Sequence, residues 1–165
     1  MAGNPVEVTN KVTVRTESQS TQVWQPAGIV AAVAYADGDA IGGMTEVDAP
    51  LSGVLQSALY IDRDDEGLAV DLVVCLLPFD TPILDNATMA LSDDDLLKVI
   101  HVIAFATFSD FTNGQISSVT AIGKRFGTDP SRPRKLYVQA RARGALNIAS
   151  GSEPRFVIDY LVDER

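Results

Sequence analysis

At 165 residues, 46% apolar and 21% charged, the chain suits one globular domain, or one domain with an arm, and not a disordered polymer. A single cysteine, Cys75, excludes an internal disulfide framework, and a single histidine, His101, excludes any site built on two imidazoles. The net charge of −9 argues against general binding to nucleic acid, whose phosphates are met by Lys and Arg.

In chain order, Val6 to Arg15 is rich in β-branched residues and predicts a first strand. Thr16 to Gln25 is polar and reads as a loop or extended arm, so 1–25 is taken as an N-terminal strand or arm and 26–165 as the domain. Met1 to Asn10 has neither a basic start nor an apolar stretch, so no secretory leader is expected. No apolar run reaches the length of a membrane span. Ile29 to Tyr35 reads as a strand ending in the Asp37-Gly38 turn. Gly53 to Asp62 alternates, which places Leu55, Ser57, Leu59 and Ile61 on one face. Asp64 to Gly67 is a turn, and Leu68 to Leu77 is a continuous apolar strand broken only by Asp71 and ended by Pro78. The expectation is a hairpin of 53–63 with 68–77.

Ser92 before Asp93-Asp94-Asp95 is the one clear helix start, a capping side chain followed by carboxylates at the positive end of the helix dipole. Val99 to Phe108 leaves that short helix for a strand, and Ser109 to Gln115 reads as a turn around Asn113-Gly114. Ile116 to Gly123 is a strand, Lys124 to Arg134 a basic loop, and Ala149 to Pro154 a turn. Leu136 to Arg143 alternates with Leu136, Val138, Ala140 and Ala142 on one face, and Phe156 to Val162 is the last strand. About eight evenly spaced strands with one short helix predict a mainly β, antiparallel sandwich or barrel.

Charge is unevenly spread: residues 1–60 carry −4, residues 61–123 carry −9, and residues 124–165 carry +4. The basic stretch includes Lys124, Arg125, Arg132, Arg134, Lys135, Arg141 and Arg143. Two readings stand: a solvated loop and strand that offset acidic neighbours, or a docking patch for an acidic surface. Asp62-x-Asp64 with Gly67 has the start of a calcium loop, but its twelfth position is Val73 rather than Glu, so a turn explains it better. Asp37 and Asp39 likewise suit a turn. Cys75 and His101 sit in apolar runs and read as packed core residues. The chain has no nucleophile elbow, phosphate loop or dinucleotide fingerprint. No catalytic, metal or cofactor site is expected. Trp24, beside Pro26, is a packing anchor or an interface contact.

Several segments in order carry a resemblance. They are Tyr35 to Gly43, Gly53 to Asp62, Asp71 to Phe79, Asp85-Asn86-Ala87, the Ser92 helix start and Leu136 to Gln139. Together they resemble the small proteins that decorate or cement the capsids of tailed bacteriophages. The resemblance spans about 29–162 and leaves out 1–25 and the basic loop 124–135. It implies a jelly-roll-like β-sandwich, a non-enzymatic role, and assembly as a dimer or trimer. The implied partner is the major capsid protein, and the implied place is the capsid exterior of a virion made in the host cytoplasm. Trp24, Arg132, Arg134, Arg141 and Arg143 are the expected partner contacts. The competing class is a carbohydrate- or ligand-binding β-sandwich of a host-recognition structure.

Overall fold

A computed structural model describes residues 19–29, 34–63, 65–67, 69–131, 134–148 and 154–163. In chain order the elements are β1 (Gln19–Trp24), β2 (Ala34–Tyr35), β3 (Ala40–Asp48), β4 (Ser52–Asp62), β5 (Val70–Cys75), α1 (Asp93–Leu96), β6 (Val99–Phe105), β7 (Phe108–Phe111), β8 (Gly114–Gly127), β9 (Lys135–Ala142), β10 (Leu146–Asn147) and β11 (Arg155–Val162). They form a five-stranded sheet in the order β1-β11-β4-β8-β7, a four-stranded sheet in the order β3-β9-β5-β6, and the small pair β10-β2. All pairings are antiparallel.

Set the short pair aside and count the β7–β8 hairpin as one arm. One sheet then holds the first, eighth, third and sixth strands, and the other the second, seventh, fourth and fifth. That winding is a jelly roll, so the mainly β sandwich expected from the strand pattern is what forms.

The two inner faces share one core. Leu55, Tyr60, Phe156, Ile158 and Tyr160 come from the five-stranded sheet, and Ile41, Leu72, Val74, Phe105 and Val138 from the other. Aromatic rings stitch the sheets together. Phe156 stacks on Tyr60 at 5.1 Å and on Trp24 at 5.7 Å, while Phe105 meets Tyr60 at 5.8 Å. Each buried ring of this kind contributes roughly 2–3 kcal/mol through lost apolar exposure.

The expected hairpin of 53–63 with 68–77 does not form. β4 pairs with β8 and β11, and β5 with β6 and β9, so the 63–69 connection crosses from one sheet to the other. Turn residues show that the chain reverses, not which strand it rejoins. The Asp62 carboxylate accepts from the Gly67 N–H at 3.0 Å, which ties down this crossover. Asp64 lies outside the described residues.

The expected face of β4 is also corrected. Leu55 points into the core, but past it Ala58 and Tyr60 are buried, while Leu59 and Ile61 turn outward. Gln56 is an extra residue against β11, and opposite it β8 inserts 121–123, with Ala121 and Gly123 at positive φ. One extra residue in a period of two exchanges the faces.

Smaller differences follow from the sheets. The strand β8 runs on to Gly127, so Lys124 and Arg125 lie in a strand rather than a loop. Ser109 to Phe111 belongs to β7, and the tight turn is only 112–113. Part of the expected arm, Gln19–Trp24, is the edge strand β1 on β11. Residues 6–15, 30–33 and 149–153, read as strand, strand and turn, lie outside the described residues. The alternation of β9 holds, with Leu136, Val138, Ala140 and Ala142 in the core.

A strap from Leu76 to Lys98 crosses the outer face of the four-stranded sheet and makes a second, smaller core. Phe79 and Met89 of the strap pack there on Ala40, Val73 and Cys75. This is why β5 is buried on both faces and reads as an unbroken apolar run. Ser92 caps α1 as expected, accepting from the Asp95 N–H at 3.1 Å. The buried Asp95 carboxylate accepts from the Asp80 N–H, the Ser92 hydroxyl and the Lys98 ammonium, at 2.9, 2.9 and 2.8 Å. Those bonds, Lys98 first, hold its pKa below the ordinary carboxylate range.

Candidate functional site

On the outer face of the four-stranded sheet the strap covers Ala40, Val73 and Cys75, while Val102 and Ala104 of β6 are exposed. Toward that exposed side β9, β5 and β6 set three residues in one row across the sheet. Arg141 lies opposite Asp71, and Asp71 opposite Ala104. Asp71 is buried, and its carboxylate accepts from the Arg141 guanidinium. Arg143, just past the end of β9, brings its guanidinium to 3.6 Å from the same carboxylate. Both arginine side chains stay about two-fifths exposed, at 39% and 45%. One buried carboxylate thus orients two half-exposed guanidinium groups, and the cluster keeps a net positive charge.

Beside Arg141 lies a cavity of about 250 Å³ lined by Val73, Met89, Leu91, Leu96, Val99 and Val102. Two of these lining residues, Leu96 and Val102, are exposed to solvent, and Leu97, next in the chain, is 85% exposed. Leu96 is the last residue of the four-residue helix α1 and Leu97 its C-cap, and both are exposed. Exposed apolar groups rimmed by charge mark contact surfaces in soluble proteins. The arrangement suits an apolar anchor with a carboxylate next to it.

Of the expected contact residues that lie among the described ones, the structure brings two together, Arg141 and Arg143. Arg134 is exposed at the other end of β9, where its carbonyl accepts from the Ala49 N–H at 3.0 Å. Seven strand positions separate it from Arg141, roughly 23 Å of chain. Trp24 lies on the other sheet, half-buried on Phe156, directly across the β1–β11 ladder. It acts there as a packing anchor. Arg132 lies outside the described residues. The sequence reading missed Asp71 as the hub, and missed Leu96, Leu97 and Val102. The visible signal for the first was a lone carboxylate in an apolar strand.

Other candidate groups are structural. Asp39 accepts from the Ala36 N–H at 2.8 Å and from the Thr88 hydroxyl at 3.3 Å, which closes the Asp37-Gly38 turn. Asp85 accepts from the Tyr35 hydroxyl at 2.8 Å and the Gly42 N–H at 2.6 Å. Gly42 needs its positive φ of 68°, and a Cβ there would meet the Ala27 carbonyl at 2.8 Å. Burial, with the Asp95 charge second, pushes the Cys75 thiol up to about 12, which keeps it protonated and inert. Burial and nearby Lys124 lower the His101 pKa. Among the described residues no cluster of His, Cys, Asp or Glu is placed to hold a metal ion, and no helix is long and apolar enough to cross a membrane.

Comparison with protein families and with curated proteins finds no match to this chain.

Proposed function

We propose that this chain is a structural virion protein that binds the outer surface of the major capsid shell of a tailed phage. It works there as a cement or decoration protein without catalysing a reaction. The observation that carries the reading is the apolar rim of Leu96, Leu97 and Val102 beside Arg141 and Arg143. The sequence resemblance and the jelly-roll sandwich support it. Each copy contacts neighbouring shell subunits, and self-association as a dimer or trimer multiplies weak contacts through avidity. The patch fits an acidic, apolar-tipped feature of the capsid protein.

Co-sedimentation with expanded tailed-phage capsids stripped of accessory proteins tests this. The protein is expected to saturate the shells. A variant joining Leu97→Ser to Arg143→Glu should bind at least ~10-fold more weakly, because it removes an anchor and reverses a charge. Thr120→Glu, on the exposed side of β8, should bind as the unaltered chain does. Sedimentation no greater than that of an unrelated acidic β-sandwich overturns the proposal.

A second reading, carbohydrate binding in a host-recognition structure, is favoured by one feature. Phe111 is 57% exposed at the tip of the β7–β8 hairpin, in a hollow of about 440 Å³ shared with Asn113 and Gln115. A sugar ring stacks on such a face while amides bond its hydroxyls. Glycan-panel binding that Phe111→Ala abolishes would favour this reading over the capsid.

A further inference from the structure

Among the described residues four strands end the two sheets, and three of them carry devices that discourage pairing with another chain. The edge β1 is six residues of mostly polar sequence. β3 is bent by a bulge between Ile41 and Thr45 and exposes Glu46 and Asp48. β7 has only four residues and exposes Asp110. These are the usual protections of a sheet edge: shortness, a bulge, charge.

β6 lacks two of them, the shortness and the charge. It reads Val99-Ile-His-Val-Ile-Ala-Phe105, with no formal charge at neutral pH, no proline and no glycine, in a chain of net charge −9. Its one irregularity, at Ile100, lies near its start and leaves His101–Phe105 in regular register with β5. Among the described residues β5 is its only ladder partner, and Val102 and Ala104, on the outer face of the sheet, are exposed.

We infer that β6 is a homotypic interface, where two copies pair antiparallel across a two-fold axis and join their four-stranded sheets into one. An antiparallel edge is complementary to itself, so the partner needs no sequence other than this one. The charges flanking β6 select the same partner. The exposed carboxylates Asp93 and Asp94 lie beyond its Val99 end, at the start of α1. Arg141 and Arg143 lie toward its Phe105 end, through Asp71 opposite Ala104. Antiparallel pairing sets the acidic end of one copy against the basic end of the other, twice. A register centred on Val102 places that exposed side chain against its own copy. It also puts the two apolar rims side by side on one face, which makes the surface bivalent. This names the surface for the self-association proposed above, and its test needs no capsid.

Analytical ultracentrifugation of the purified chain over a concentration series is the experiment. A reversible dimer is expected, weakened by added salt because charged ends meet. Val102→Lys sets two ammonium groups face to face and should lower the association constant at least ~100-fold. Its far-ultraviolet circular dichroism should stay unchanged. Val102→Cys should give a disulfide-linked dimer on mild oxidation, with no competition from the buried Cys75. A chain that stays monomeric throughout overturns the inference. So does a trimer, or a dimer that folded Val102→Lys leaves intact and Val102→Cys does not cross-link.

Discussion

Among the described residues, the four-stranded sheet is covered on its inner face and over part of its outer face, and the five-stranded sheet on its inner face alone, although both contribute to the same inner core. On the first, the strap from Leu76 to Lys98 adds a second cluster around Phe79 and Met89. On the second, the outer face is held by polar bonds such as Ser57 and Thr21 donating to Asp159, at 2.6 and 2.7 Å. The contrast teaches where recognition can arise. A solvated polar face needs nothing further, whereas a strap that stops short leaves apolar groups uncovered at its end. The Leu96, Leu97 and Val102 rim is that uncovered end, and Asp71 stations two arginines beside it.

Substitutions at four positions probe the contrast. The largest effect is expected at the shared core: Phe156→Ala removes a fully buried ring that touches Tyr60, Trp24 and Phe105. It should cost roughly 3–5 kcal/mol of global stability in denaturant unfolding. A cost below that of a surface change would break the picture of one core serving both sheets.

Phe79→Ala acts only on the covered face. Its cost should lie at the lower end of that range, about 3 kcal/mol, because the strap can loosen locally. The distinguishing readout is Cys75. It should resist thiol reagents in the unaltered protein and become labelled in the variant without global unfolding. Unchanged protection would mean that the strap does not shield β5.

Ser92→Ala removes the cap of α1 and should cost about 1 kcal/mol, with Ser92→Gly costing less. Equal losses for the two would assign the effect to something other than the cap.

The smallest effect concerns pH. Burial first, and Lys124 second, hold the native His101 pKa below its unfolded value near 6.5. The unfolded chain therefore binds the proton more readily, and stability is lost as pH falls from about 6.5 through the native pKa. His101→Gln should flatten that part of the stability–pH curve. A curve of the same slope in both proteins would remove His101 from the account.

Local chemistry alone determined a good part of this molecule. Ser92 before three aspartates set the helix start, Asp37-Gly38 set one turn and Asn113 marked another, and the alternation from Leu136 to Arg143 chose the buried face of β9. Each depends on residues within a few positions of one another, so it is legible in one dimension. Asp71 stood out as a carboxylate in an apolar strand, and pairing with Arg141 is the reason it is tolerated there. The partners of β4 and β5 were not legible, because a turn reverses the chain without naming the strand it joins. The bulge at Gln56 was hidden for a related reason: it answers an insertion in β8 that is more than sixty positions away. The open apolar rim and the bare edge of β6 depend on where the strap ends and which strands close each sheet. Those are consequences of long-range pairing and burial, and only the folded chain decides them.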